Sequence, residues 1–328
     1  MISVNGVSFS LDRKEKGADI DFISHAHSDH IAAAKSSSRI YASGITKDLL
    51  CAVSSMVPQS DVGMPKSTKL INAGHILGSR QIVADDEVNG SRIVYTGDFQ
   101  MQKSRSCEGI EIEEADVAIV DSTYYQPSLV FGERQEVEDA IQYWAEQKLN
   151  DGIVLFGTYA LGKAQELISI LNEKGVLPLV SRKISTINRV YRNNGVKLDY
   201  ASAYEGNDEY LSLLRGNFVC IVENGLLGAM AAALAELCNR RVHTAVATGF
   251  AKIMKFNTEV QFPLSDHADF KQCTEYIDAA GVKKVLTYGQ NRLELASALA
   301  DRGYDAMPFE TKARRGGAVA VLPTSHPL

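Results

Sequence analysis

Residues 25–30 read His25-Ala26-His27-Ser28-Asp29-His30, and no other stretch constrains this chain as much. The hexapeptide holds three of the seven histidines in 328 residues, with an aspartate among them. Just before it, Ile20 and Phe22 alternate with Asp19 and Asp21, which predicts a short strand running into a ligand-rich loop. Imidazole nitrogens and a carboxylate oxygen suit a borderline-soft divalent ion such as zinc. The H-x-H-x-D-H spacing lets alternate residues aim at two points. His25 and His27 can meet one ion, and Asp29 and His30 a second. A merely polar surface loop is the plain alternative, but so dense a ligand set is hard to reach by composition alone.

Composition narrows the class. The length allows one large domain or two modest ones with ample core. The hydrophobic fraction of 45% and charged fraction of 23% are ordinary for a soluble globular protein. No stretch approaches the ~20 apolar residues of a membrane span, and the N-terminus shows no basic-then-apolar leader. A cytoplasmic location without membrane contact is expected. The run from Gly225 to Leu234 is short and alanine-rich and reads as a buried helix. Cys51, Cys107, Cys220, Cys238 and Cys273 are scattered, with no C-x-x-C pair, and read as free thiols. A net charge of −6 argues against nonspecific coating of nucleic acid. It allows a local basic groove, and Arg182, Lys183, Arg189, Arg192 and Lys197 form an acid-free cluster. Such a cluster is either a solvated helix face or a substrate-facing surface.

Along the chain, strand candidates crowd the first third: Val7 to Leu11, Arg39 to Ala42, Lys69 to Ile71, Gln81 to Val83, Arg92 to Tyr95 and Val117 to Asp121. Short strands between polar turns suggest sheets packed face to face. After Pro127 the texture alternates helix and strand, with helices expected at 133–149, 163–172, 184–192 and 226–237. Strands are expected between them at 153–156, 177–180, 218–222 and 244–247, the pattern of a mostly parallel α/β layer. From about Glu259 the first texture returns, with a strand at 260–262. The expectation is one domain inserted into another: residues 1–127 and 259–328 around an insert at 128–258.

A two-ion site needs more ligands. Gly74-His75 follows the Leu70-Ile71 strand, and Thr96-Gly97-Asp98 closes another. A carboxylate has two oxygens and can bridge two ions, so Asp98 is the expected bridging ligand. Singly, His75 could be a satisfied core histidine and Thr96-Gly97-Asp98 an ordinary turn; their order behind the opening motif favours ligands.

The series His25-x-His27-x-Asp29-His30, Ala73-Gly74-His75 and Thr96-Gly97-Asp98-Phe99 resembles the metallo-β-lactamase superfamily. Asp12 stands where that superfamily has a structural aspartate. Asp121-Ser122-Thr123-Tyr124, the 159–167 segment around Gly162-Lys163, and Ser265-Asp266-His267 are similar to motifs of its β-CASP branch. The resemblance covers nearly the whole chain. It implies an αββα sandwich carrying an inserted α/β β-CASP domain, with zinc in a cleft between the two. The branch consists of nucleases, among them pre-mRNA 3′-end cleavage factors, ribonuclease J and DNA-repair nucleases. This chain looks most like the short stand-alone members, including the ligase-associated exonucleases.

The implied roles follow residue by residue. His25, His27, His75 and Asp98 would hold the first ion, and Asp29, His30 and Asp98 the second. His267 would contact the scissile phosphate or protonate the leaving oxygen, oriented by Asp121. Gly162 and Lys163, at a helix N-terminus, and Arg182 and Lys183 would bind substrate phosphates. The expected cofactor is zinc, with manganese as an alternative. RNA or single-stranded DNA is the expected partner, and a homodimer is compatible with the pattern. The chain departs from the family at Tyr288, where many members have a metal-binding histidine. A phenol is a poor zinc ligand, so a weaker second ion is expected. Two other readings compete with a nuclease: an inactive nuclease-like subunit of a processing complex, and a hydrolase of small esters. The large insert argues against the latter, and the intact metal motifs against the former.

Overall fold

The computed structural model describes residues 1–35, 39–54, 63, 65–203 and 209–310. The chain opens with β1 (Ile2–Val4), β2 (Val7–Leu11), β3 (Ile20–Phe22), β4 (Ile40–Tyr41) and α1 (Gly44–Ser54). β5 (Thr68–Asn72), β6 (Arg80–Asp86), β7 (Ser91–Tyr95) and β8 (Val117–Asp121) follow. The middle holds α2 (Arg134–Leu149), β9 (Ile153–Thr158), α3 (Lys163–Asn172), β10 (Leu179–Val180), α4 (Arg182–Asn193) and α5 (Glu209–Leu213). It continues through β11 (Val219–Glu223), α6 (Leu227–Cys238), β12 (Val242–Ala247) and β13 (Val260–Phe262). The described chain closes with α7 (Phe270–Ala279), β14 (Lys284–Tyr288), α8 (Arg292–Ala300) and β15 (Ala306–Pro308). Residues 311–328, the end of the last expected segment, lie outside the described residues.

Two compact units result. The first comprises residues 1–103, 108–130 and the chain from His267 onward; the second comprises residues 104–107 and 131–266.

The first unit is a sandwich of two sheets. One runs β1-β2-β3-β4 and the other β15-β14-β8-β7-β6-β5. β1 and β2 form a hairpin around Asn5-Gly6, both at positive φ (48° and 80°), the conformation a tight two-residue turn demands. Val4, Phe9, Leu11, Ile20 and Phe22 from the smaller sheet meet Ile82, Ile93, Tyr95, Ile119 and Tyr288 from the larger in one buried layer. The other face of the larger sheet buries Val83, Val94, Ala118 and Val285 under Phe270, Tyr276 and Ile277 of α7 and Leu295 and Leu299 of α8. Alternate residues of β7 and β8 therefore serve two cores, which is why these strands read as continuous apolar runs. β7, β8 and β14 run parallel, so they deliver the loops after Tyr95, Asp121 and Tyr288 to the same end of the sheet.

The second unit is an open parallel sheet in the order β10-β11-β9-β12-β13. β9 lies at its centre and is buried along its whole length. Residues 260–262, whose texture pointed to the first unit, pair instead with β12 as the outermost strand. A three-residue strand has too little pattern to announce which sheet it joins. The helix at 227–238 is also not the buried element its composition suggested: only Leu227 and Leu234 are buried, and Leu237 is 82% exposed. Small side chains made this sequence look interior, but the helix turns only one narrow edge to the sheet.

Candidate metal centre

β3 ends at Phe22, and the chain then crosses the end of the sandwich as Ile23-Ser24-His25. His25 is completely buried, His27 partly so, and His30 is 8% exposed. His25 Nε2 and His75 Nε2 lie 3.1 and 3.0 Å from His27 Nδ1. Asp98 Oδ2 sits 3.4 Å from His25 Nε2, 3.7 Å from His75 Nε2 and 3.3 Å from His30 Nε2. The ligand atoms of His25, His27, His75 and Asp98 all fall within 4.8 Å of one another. Three imidazole nitrogens and a carboxylate oxygen, converging with little water around them, fit a divalent cation. Asp29 stands at the rim, its side chain 78% exposed, with Oδ2 3.5 Å from His30 Nε2. Asp98 Oδ2 thus lies within 3.7 Å of His25, His30 and His75, His27 completes the group of four, and Asp29 reaches His30 from the rim.

The imidazoles are aimed from behind. Asp12 closes β2 at φ 53°, a left-handed conformation that aspartate tolerates. Its carboxylate accepts the Ser24 N–H (2.7 Å), the Ser24 hydroxyl (2.7 Å) and the Tyr95 hydroxyl (2.6 Å), and meets His30 Nδ1 at 2.8 Å. Because Ser24 donates to Asp12, its oxygen is left to accept from His25 Nδ1, 2.8 Å away. Both histidines thereby carry hydrogen on Nδ1 and turn Nε2 toward the cluster. Sequence reading named Asp12 but passed over Ser24 and Tyr95. Their only signal was position, directly before His25 and two residues before Gly97.

Glycines make the approach possible. Gly97 has φ 55°, and a Cβ there would sit 2.6 Å from the Ser24 side chain. Gly74 has φ 73°, and its Cβ would meet the Gln100 carbonyl oxygen at 2.5 Å.

The electrostatics of the metal-free cluster are those of mutual charge stabilisation. Burial pushes the Asp98 carboxyl up, but His30, His25 and His267 outweigh it and hold it well below the usual carboxylate range. Burial likewise opposes the charge on His30, yet Asp98 and Asp12 raise its pKa well above the ordinary imidazole value. Asp29 is held far down by its hydrogen bond with His30.

His267 arrives from the other end of the sequence. Gln100 donates to its carbonyl at 2.8 Å, and Ala268 N–H donates to Phe99 O at 2.7 Å. Its Nδ1 lies 3.2 Å from Asp121 Oδ2 and 3.9 Å from Asp98 Oδ2, and its ring packs edge-on against His75 at 4.6 Å. Asp121 also accepts from the Thr123 N–H and hydroxyl. Burial and the charge of Asp98 push the Asp121 carboxyl up, with His267 opposing.

Tyr288 turns away. Its hydroxyl donates to Leu11 O at 2.9 Å, and its ring packs between Tyr95 and Phe309. Burial pushes its pKa up to about 12, so it stays a neutral phenol. It belongs to the core between the sheets.

The substrate-binding candidates lie in the second unit. Gly162, at φ 86°, caps α3, but its N–H is taken by Gln165 Oε1 (2.7 Å), and the Ala164 N–H by Tyr159 O (3.1 Å). Lys163 is 6% exposed and ion-paired with Asp266. Its charge is therefore already balanced. Arg182 and Lys183 are exposed in the first turn of α4, which Ser181 caps.

A further buried network went unseen in the sequence. The Glu166 carboxylate accepts from the Ser104 and Ser106 hydroxyls (2.5 and 2.7 Å), the Arg105 and Ser106 N–H groups (2.9 and 3.0 Å) and Arg134 Nη2 (2.7 Å). Arg105 in turn pairs with Glu138 and Glu173. This explains why residues 104–107 belong to the second unit although their sequence neighbours do not. No periodicity marks such a contact, since its partners are about sixty residues apart.

No protein-family model matches the chain. It is 31% identical over 305 residues, 87% of its length, to a probable DNA ligase of Opitutus terrae, of which it covers 28%. It is 31% identical over 188 residues to an RNase J-like protein of Methanocaldococcus jannaschii, covering 48% of this chain and 44% of that one. It is 37% identical over 108 residues to the cleavage and polyadenylation specificity factor subunit 3 of Dictyostelium discoideum, covering 31% of this chain and 13% of that one. The chain thus spans less than half the length of each. With the histidine–aspartate cluster at the end of a two-sheet sandwich, these likenesses make the chain a member of the metallo-β-lactamase superfamily, in its β-CASP branch.

Proposed function

We propose that this protein is a metal-dependent nuclease that hydrolyses phosphodiester bonds of RNA or single-stranded DNA. The observation that carries the reading is the convergence of His25, His27, His75 and Asp98 beside the His267–Asp121 pair. The relatives' names point to nucleic acid, and the match over 87% of the chain to a probable DNA ligase favours DNA over RNA.

His25, His27, His75 and Asp98 would hold one ion, and Asp29, His30 and Asp98 a second, with zinc the proposed metal and manganese the alternative. Bound there, divalent ions would polarise the scissile phosphate and acidify a water to supply the nucleophile. The chain's own residues do the rest. Asp12 and Ser24 fix the His30 and His25 tautomers. Asp121 takes the Nδ1 hydrogen of His267, so Nε2 is the atom that would exchange a proton with the leaving oxygen or hydrogen-bond the phosphate. Arg182 and Lys183 would hold flanking phosphates. Lys163 and Gly162 serve the same region by shaping it, since the lysine charge is matched by Asp266. The cytoplasm is the proposed compartment, in keeping with the buried Cys220 and Cys273 thiols, which form no disulfide. No helix among the described residues is long and apolar enough to cross a membrane.

The test is hydrolysis of end-labelled single-stranded DNA and RNA by metal-depleted protein to which zinc or manganese is returned. Cleavage restored by either ion supports the reading. No cleavage with any ion, from protein that binds it, contradicts the reading.

A further inference from the structure

The parallel sheet of the second unit has an aromatic ring exposed at its carboxyl edge, where open α/β sheets bind their ligands. Tyr159 directly follows the central strand β9 and is 45% exposed, although it grows from a fully buried strand. Lys163 Nζ lies over the ring, 5.0 Å from its centroid, and is itself anchored by Asp266. A cation thus steadies the ring while much of it meets solvent.

Strand register locates the surrounding charges. Ile221 of β11 stands opposite both Phe156 of β9 and Val180 of β10. Glu223 likewise pairs with Thr158, so the chain leaves β9 at Tyr159 and β10 ahead of α4 on the same edge of the sheet. Two strand spacings, about 10 Å, separate β9 from β10, which leads into the first turn of α4. Both of its basic residues are exposed. On the other side Val246 of β12 pairs with Gly157, and the turn beyond β12 carries exposed Lys252. Glu223 ends β11 between these groups, half-buried, and offsets part of the charge.

An exposed, anchored phenol ring between basic side chains matches what a single strand offers: base faces open to stacking, joined by phosphates. A duplex hides those faces. We propose that Tyr159 is a base-stacking platform for single-stranded nucleic acid, with Arg182, Lys183 and Lys252 engaging the phosphates on either side. This rests on the nuclease reading and gives it a strand preference. Stacking tolerates any base, so the platform selects strandedness rather than sequence.

Binding of fluorescein-labelled twelve-nucleotide single strands tests it, measured by anisotropy in an Asp98→Ala background so that the probe stays intact. Tyr159→Ala should weaken binding about tenfold and Tyr159→Phe hardly at all. One abasic nucleotide, walked along the probe, should cost the Tyr159 protein the same factor at one position and cost the Tyr159→Ala protein nothing further there. The Arg182→Ala/Lys183→Ala protein should lower the slope of log affinity against log salt by about 1.4. Matched thermal melting of the variants guards against misfolding. Equal affinity of Tyr159→Ala, fully additive losses, or tighter binding of duplex than of single strand would each overturn the platform. If the parent binds no nucleic acid and the wild type cuts none, the nuclease reading fails and takes the platform with it.

Discussion

His30 hydrogen-bonds through Nδ1 to Asp12 Oδ2 at 2.8 Å, and this contact decides which of its nitrogens faces the cluster. The same carboxylate binds Ser24, which aligns His25, and accepts from Tyr95, which lies in the core. One aspartate in a left-handed turn thus joins the sheet interior to the metal loop. Backing of this kind typically changes metal affinity by 10–100-fold.

Asp12→Asn should therefore lower metal affinity by about 10–100-fold while the protein still folds. Asp12→Ala should do more. It strands the buried Tyr95 hydroxyl and Ser24 N–H and should cost about 3 kcal/mol of stability. Metal titration of both variants, with denaturant unfolding alongside, checks the two effects separately. Unchanged metal affinity in Asp12→Asn would contradict the aiming role.

Gly97→Ala places a Cβ 2.6 Å from the Ser24 side chain at a backbone φ of 55°. Strain of about 1–3 kcal/mol is expected, and the loop carrying Asp98 must shift. Gly90, also at positive φ (62°) but with nothing within 4 Å, is the control. Gly90→Ala should be the milder change in a thermal melt and should leave metal binding intact.

Metal loading should release protons. Burial works against a charged His30, but Asp98 and Asp12 raise its pKa well above 6.5, so in the metal-free protein it carries a proton at neutral pH that an incoming ion must displace. Affinity should then rise with pH through the neutral range. Calorimetric titrations in buffers of different ionisation enthalpy would read the proton directly. A buffer-independent heat would refute the prediction. Chelation should also lower the melting temperature, since the ion binds only the folded chain.

Acid should weaken the second unit through Glu166. Burial pushes this carboxyl up, but Arg134, Ser104, Ser106 and the Arg105 N–H outweigh it, leaving the folded pKa below the ordinary 4.5. A lowered folded value means that the contribution is fully present above about 4.5 and is lost as the pH falls through the folded pKa. Glu166→Gln should cost about 2 kcal/mol at neutral pH, because buried Arg134 loses its charged hydrogen-bond partner and keeps only Glu138, 3.3 Å away, to balance it. The variant should also unfold with a shallower acid limb. Denaturant midpoints from pH 7 down to pH 3 would show both.

What the sequence disclosed follows the range of the interactions involved. The gathering of His25, His27, His75 and Asp98 was legible because histidines and aspartates sit together at strand ends, bracketed by glycines. The helix at 163–172 was legible to the residue, since Gly162 marks its start. Helices 270–279 and 292–300 passed unnoticed; the second has almost no amphipathic pattern, with only Leu295, Ala296 and Leu299 buried. The ion pair of Lys163 with Asp266 and the Glu166 network join residues far apart in the chain, and local pattern carries no trace of either. Tyr288 was visible as a departure, but its hydroxyl bond to Leu11 depends on how the two sheets face each other.

The most direct test is the cutting of matched single-stranded DNA and RNA, labelled at either end, by zinc- or manganese-loaded wild-type and Asp98→Ala proteins. Asp98 lies within 3.7 Å of His25, His30 and His75. The account predicts cleavage by the wild type, with DNA cut better than RNA, and a loss of at least a hundredfold, roughly, in Asp98→Ala. Equal cutting by a folded Asp98→Ala protein, or none by a metal-loaded wild type, would contradict it.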